Sequence, residues 1–177
     1  MTKPLIIIGL LSLTAFAHAQ PLRPDDYKAA EVKRAESQAS TPNMAVGKLH
    51  LYKRNSDSAC ASLNIEYRKE AAYMGNYNCG NDQVYSFKVS NASKGNTIKL
   101  GSDRPVKESD YSYCPENDWR FVLEVTDDAV DTSKISISDL RNIENGQMVA
   151  TGLKMQKKHY RSGIIAGKLS CVDTNNR

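Results

Sequence analysis

The chain has 177 residues, of which 24 are Lys or Arg and 20 are Asp or Glu, a net charge of +4. That balance permits contact with an anionic partner without demanding one, and it lacks the strong basic excess that would indicate a nucleic-acid binder. Beyond the amino-terminal leader no stretch approaches the roughly 20 apolar residues that cross a bilayer, and the length suits one domain with a core of its own.

Met1-Thr2-Lys3 is a short positive start, Pro4 to Phe16 is almost wholly apolar, and Ala17-His18-Ala19 puts small residues where a signal peptidase reads. These are the three parts of a secretory signal peptide, residues 1–19, with cleavage expected before Gln20. The apolar run is too short for a membrane anchor, and no Cys at the cleavage point invites a lipid. The short charged start is bacterial in style, so the mature protein is expected in the periplasm or the medium. The leader carries one Lys and no acid, so its removal leaves a net charge of +3.

Residues 20–46 form a polar segment. Asp25-Asp26 can cap a short helix through Tyr27–Ala35, but Tyr27 and Val32 are its only large apolar residues and no apolar stripe forms. Ser37 to Asn43 is small and polar, with Pro42 inside it. The segment reads as a mobile or short-helical arm, with a partner-binding arm as the alternative.

From Gly47 to the end the pattern is that of a single β domain. Leu49 and Leu51 alternate with His50 and Tyr52, and Ala61, Leu63, Ile65 and Tyr67 alternate with polar neighbours. Cys79-Gly80-Asn81-Asp82 leads into Tyr85, Phe87 and Val89. Cys114-Pro115-Glu116-Asn117-Asp118 leads into Phe121, Leu123 and Val125 at matching offsets. Ile98 and Leu100 follow the first copy and Ile135 and Ile137 the second, which predicts two related hairpin units, although alternating strands after polar turns are common in β proteins. Phe87, Leu123 and Val125 should then be core, with Lys88 and Glu124 facing water. Asn145-Gly146, between Lys134–Ile143 and Gln147–Met155, predicts a hairpin through a type I′ turn. Ile164–Val172 supplies a last strand. About nine strands without a long helical period give an all-β, disulfide-stapled antiparallel sandwich, Greek-key or hairpin-built.

Cys60, Cys79, Cys114 and Cys171 all lie beyond the leader. An even number in an oxidising compartment reads as two disulfides with three possible pairings, and the wide gaps disfavour zinc. The pairing expected is Cys60–Cys79 with Cys114–Cys171, the first closing a neighbouring segment and the second tying the last strand to the middle of the chain.

Asn81-Asp82-Gln83-Val84-Tyr85-Ser86, with the preceding Leu49-His50-Leu51-Tyr52 strand, resembles one motif of the βγ-crystallin family over residues about 47–102. That family builds a sandwich of paired Greek keys, and its microbial members often bind calcium through an (Asn/Asp)-(Asn/Asp)-x-x-(Ser/Thr)-Ser segment. The resemblance implies that fold and a candidate calcium site. Tyr85, however, stands where the family places a ligating hydroxyl, and calcium takes about six to eight oxygen ligands. The second copy, Asn117-Asp118-Trp119-Arg120-Phe121-Val122, lacks both hydroxyls and adds a cation. The expectation is therefore no metal and no other cofactor, with the Asn-Asp pairs making side-chain-to-backbone turns.

Catalytic motifs are missing: there is no G-x-S-x-G, no H-E-x-x-H and no Gly-rich phosphate loop. The mature chain holds two histidines, His50 and His159, which as base and acid would suit a metal-free nuclease. Glu66, Glu70, Glu108 and Asp110 are carboxylates that nothing singles out. The densest charge is Lys154-Met155-Gln156-Lys157-Lys158-His159-Tyr160-Arg161, four cations and a His without an acid. It is expected in the connection between the last two strands, where Lys154, Lys157, Lys158, His159, Tyr160 and Arg161 would meet a protein or an anionic surface. The alternative is a solvated turn whose lysines deter edge pairing. Asp127, Asp128 and Asp131 make a smaller acidic loop, a cation site or a solvated turn. The expectation is an exported, non-enzymatic binding protein of inhibitor, immunity or accessory type, with a secreted nuclease or toxin and a calcium-binding domain as alternatives.

Overall fold

A computed structural model describes residues 46–65 and 70–174. The leader, the arm up to residue 45, and Glu66 and Tyr67 lie outside the described residues. In chain order the strands are β1 (Lys48–Tyr52), β2 (Ala61–Asn64), β3 (Ala72–Tyr73), β4 (Ser86–Ser90), β5 (Thr97–Gly101), β6 (Val106–Glu108), β7 (Tyr111–Tyr113), β8 (Trp119–Val125), β9 (Ile135–Ser136), β10 (Met148–Ala150), β11 (Leu153–Tyr160) and β12 (Cys171–Asp173). Helical structure among the described residues is limited to 3-10 turns at Met74–Asn76 and Ile137–Asn142.

Two antiparallel sheets face each other across one core. The four-stranded sheet runs β2-β1-β4-β9 and the six-stranded sheet β10-β11-β8-β5-β12-β3, while β6 and β7 pair as a separate ribbon. Alternation explains the partition: Leu49, Leu51, Leu63, Phe87 and Val89 point inward from the first sheet, Ile98, Leu100, Trp119, Phe121, Leu123, Val125, Leu153 and Met155 from the second, and all join one buried cluster. Phe87, Leu123 and Val125 are fully buried as expected, and Lys88 and Glu124 take outward positions where they are partly exposed.

The two related segments are not hairpins. β4 belongs to the four-stranded sheet and β5 to the six-stranded one, whereas β8 and β9 make the same crossing in the opposite sense. β4 pairs with β9, and β5 pairs with β8, so the two units interlock as arches. Their corners meet where Ala92 and Val130 exchange backbone hydrogen bonds of 3.1 and 2.9 Å. The acidic loop serves this junction: Asp128 Oδ1 accepts from the Lys94 N–H at 3.0 Å and Asp131 Oδ1 from the Asn91 N–H at 3.3 Å. Thr132 Oγ1 accepts from the Val89 N–H in the buried interior.

Asn145-Gly146 is a turn, but not the predicted type I′ hairpin. Gly146 alone of the pair has positive φ, at 85°, and I′ needs it at both central residues. The segment before it is strand only at β9 and then turns into the 3-10 helix Ile137–Asn142, because Ile137 and Leu140 bury themselves at helical spacing. The tight hairpin is β10–β11, through Thr151-Gly152. Gly152 has φ 73°, and a Cβ there would come within 2.4 Å of Val130, so the arch corner fixes this position as glycine. The last strand is only Cys171–Asp173, and residues 161–170 are loop.

Both expected disulfides are present, Cys60–Cys79 and Cys114–Cys171, and no described cysteine is free. The second bridge joins the segment entering β8 to the segment entering β12.

Candidate functional site

The basic run is not in a connection. Lys154 to Tyr160 lie within β11, between β10 and β8, because an extra residue at Gln156 bulges the strand and lets it continue. After the bulge Lys158 and Tyr160 stand opposite inward-facing Phe121 and Trp119, and Lys157 and His159 stand opposite Val122 and Arg120 on the outward face. The neighbours supply the acids that the run lacks. Lys154 Nζ lies 2.9 Å from Glu124, Lys157 Nζ 2.8 Å from Glu116, and Lys158 Nζ 2.6 Å from Glu144. Glu116 also pairs with Arg120. Lys158 further donates to the Arg141 carbonyl at 3.2 Å, and its backbone N–H donates to Asn145 Oδ1 at 2.7 Å. His159 Nε2 meets the Asn117 carbonyl at 3.2 Å, and the Tyr160 hydroxyl donates to the Gly163 carbonyl at 2.9 Å. Arg161, just past the strand, is exposed, and its N–H donates to the Asp118 carbonyl.

The two histidines do not converge. His50 sits on β1 between buried Leu49 and Leu51, on the outward face of the four-stranded sheet; His159 is on the outward face of the other. The core lies between them, so they cannot act as base and acid on one substrate. His50 Nδ1 meets Ser62 Oγ at 2.8 Å. Partial burial, with Lys88 and Lys48 nearby, holds its ring below the usual 6.5. Glu108 accepts from the Tyr111 hydroxyl at 2.9 Å in the β6–β7 ribbon, with Asp110 in its turn. Glu70 is exposed just before β3.

The two Asn-Asp turns do come together. Asp82 and Asp118 line one cleft of about 380 Å³, with Ser102, Trp119, Ser162, Gly163, Ile164 and Lys168. It opens at the end of the six-stranded sheet where β5 finishes and β8 begins. Asp82, held at φ 59°, does not close a side-chain-to-backbone turn. Its Oδ1 accepts from the Ser170 hydroxyl and its Oδ2 faces Lys168 Nζ, both at 3.2 Å. Asn117 and Asp118 contribute carbonyls to His159 and Arg161. Trp119 forms the inner wall, 1% exposed and stacked on Phe121 at 5.2 Å, and its indole N–H meets no acceptor among the described residues. Ile164, on the outer lip, is 71% exposed. The Asn-Asp repeat marked Asp82 and Asp118 in the sequence; nothing marked Ser102, which follows β5, or Ser162, Ile164 and Lys168, which come from a loop where Ile164–Val172 was expected to be strand.

Tyr85, the departure from the calcium-binding pattern, is partly buried. The Arg54 guanidinium lies 5.4 Å from its ring centre, and a Cβ at Gly167 would fall 2.7 Å from the ring. No protein-family model, curated protein or solved structure matches the chain.

Proposed function

We propose that the chain is an exported, non-enzymatic binding protein that recognises a protein or an anionic surface outside the cytoplasm. The observation that carries the protein-binding form of this reading is the end cleft, whose Asp82 and Asp118 disfavour an anionic occupant. Loops from both related segments and from residues 162–168 build it on a two-sheet frame, and the Cys114–Cys171 bridge ties two of its walls together. Walls fixed in this way offer Asp118, the Asp82–Lys168 pair and two serine hydroxyls at set positions, so little ordering entropy opposes binding. Ile164 adds apolar contact at the rim, where water is displaced on docking. The signal-peptide pattern of residues 1–19 and the two disulfides support export.

The test is a photo-crosslinking residue placed at Ile164 in cells exporting the protein, with one at Lys94, beyond the opposite end of β5, for comparison. The reading expects a discrete adduct from position 164 that is absent from position 94 and lost with Asp118→Lys. Equal labelling from both positions, or no adduct from 164, would remove the cleft as a recognition site.

A further inference from the structure

The outward faces of the two sheets differ in how their charges are met. On the six-stranded sheet Lys99, Arg120, Lys154 and Lys157 are matched by Asp173, Glu116 and Glu124. On the four-stranded sheet β1 turns Lys48 and His50 outward, β4 turns Ser86, Lys88 and Ser90 outward, and β2 turns Ser62 and Asn64 outward. Register places Asn64, Lys48 and Ser90 in one row and Ser62, His50 and Lys88 in the next. Neighbouring strands lie about 4.8 Å apart and alternate residues nearly 7 Å apart. Two lysines and a histidine thereby occupy adjacent outward positions of one face, and neither Lys48 nor Lys88 pairs with a carboxylate among the described residues.

The other charged groups border the patch. At the Tyr52 end Lys134 lies 4.7 Å from the ring centre of Tyr52 and is bound to Asp57 at 2.7 Å. At the Ser90 end Asp131 accepts from the Asn91 backbone. Partial burial first, and then Lys88 and Lys48 beside it, hold the His50 ring below its usual value. A ligand carrying closely spaced negative groups relieves that repulsion.

We infer that this face docks a linear anionic polysaccharide, whose charged groups meet Lys48, Lys88 and His50. Charge complementarity selects an anion, and the remaining outward positions select its backbone. Ser62, Asn64, Ser86 and Ser90 place hydroxyl and amide groups around the cations, as a chain of sugar hydroxyls requires. The large outward side chain of β1 beside them, Tyr52 opposite Ser86, is only 7% exposed with Lys134 over its ring, whereas stable attachment to a lipid surface draws on buried apolar area as well as charge. The inference rests on the reading of the chain as an exported binding protein for the compartment where such a polymer is met, and it uses a different face from the cleft.

Heparin is the probe, with dextran as neutral glycan and phosphatidylglycerol vesicles as lipid, all tested on the oxidised mature protein. Calorimetry is expected to show salt-sensitive heparin binding, and NMR titration of the His50 ring a higher pKa when heparin is bound. Lys48→Ala with Lys88→Ala should weaken binding by about ten-fold, equivalent to about 1.4 kcal/mol, at unchanged melting temperature. Lys157→Ala on the opposite face should bind as the parent does. Absence of heparin binding, full affinity in the double variant, an unmoved His50 titration, equal affinity for dextran, or tighter binding to vesicles than to heparin would each overturn the assignment. The crosslinking experiment at Ile164 is independent of these outcomes, so failure of one does not mimic failure of the other.

Discussion

Replacing each cystine by a pair of alanines tests whether the bridges act by restricting the unfolded chain. Cys114–Cys171 spans 57 residues and Cys60–Cys79 spans 19. Loop-closure entropy makes them worth about 4 and about 3 kcal/mol, and the logarithmic dependence sets the difference at about 1 kcal/mol. Packing acts in the same direction, because Cys114 and Cys171 are both fully buried while Cys60 is partly exposed. Urea unfolding followed by circular dichroism reads both quantities. The Cys114/Cys171 variant should have the lower midpoint, and both variants should show a larger m-value as the unfolded chain expands. A Cys60/Cys79 variant that is the less stable of the two would refute the entropic ordering and place the larger contribution in local packing around Cys79.

Other substitutions separate core from surface. Leu123→Ala should cost about 2–5 kcal/mol, since its side chain is fully enclosed, while Lys88→Ala should stay within about 0.5 kcal/mol; equal effects in urea unfolding would mean that the strand register is wrong. Lys158→Ala should cost about 1 kcal/mol through its Glu144 and Arg141 contacts. Lys157→Ala, whose side chain is 57% exposed, should cost less, and the reverse order would contradict the bulge at Gln156. Folding lowers the His50 pKa below 6.5, so the unfolded chain binds that proton more readily and stability is lost as pH falls from about 6.5 through the folded value. His50→Gln should flatten that part of the stability profile, and an unchanged slope would place its source at another group.

The strands were legible because their signal is local. Leu49 and Leu51, Ala61 and Leu63, and Phe87 and Val89 alternate within a few residues, and burial follows that alternation. Which strand pairs with which was not legible. Phe87–Val89 followed by Ile98–Leu100 looks the same whether the chain folds back as a hairpin or crosses to the other sheet, since both arrangements bury the same side chains. The crossing depends on the contact of Ala92 with Val130, which are 38 positions apart. Asn145-Gly146 failed as a hairpin signal for a related reason. The turn exists, but Ile137 and Leu140 bury themselves through a 3-10 turn that strand alternation does not reveal. Part of the cleft was visible through the repeated Asn-Asp pairs; Ser102 comes from the end of β5 and the rest from residues 162–168, a loop anchored by buried Ile165 and Leu169 whose alternation reads as a strand in the sequence.

Charge shows the same limit more sharply. Along the chain Lys154 to Arg161 is the densest positive segment, yet a strand meets its neighbours sideways, and β11 lies beside β8. Glu124 arrives from that partner, Glu116 from the segment leading into it and Glu144 from the turn before β10, so three of the four cations are neutralised by residues between 14 and 41 positions away. Lys48 and Lys88 are unremarkable in sequence and 40 positions apart, yet antiparallel pairing of β1 with β4 brings them to the same patch beside His50. The net positive charge of the chain is therefore left without a carboxylate partner, among the described residues, at Lys48 and Lys88 on the four-stranded sheet. That placement makes a discriminating prediction: Lys48→Glu with Lys88→Glu should reduce retention on a sulfated matrix far more than Lys157→Glu with Lys158→Glu, although both change the net charge by −4. Equal losses of retention would mean that the protein responds to total charge and that neither face is a site.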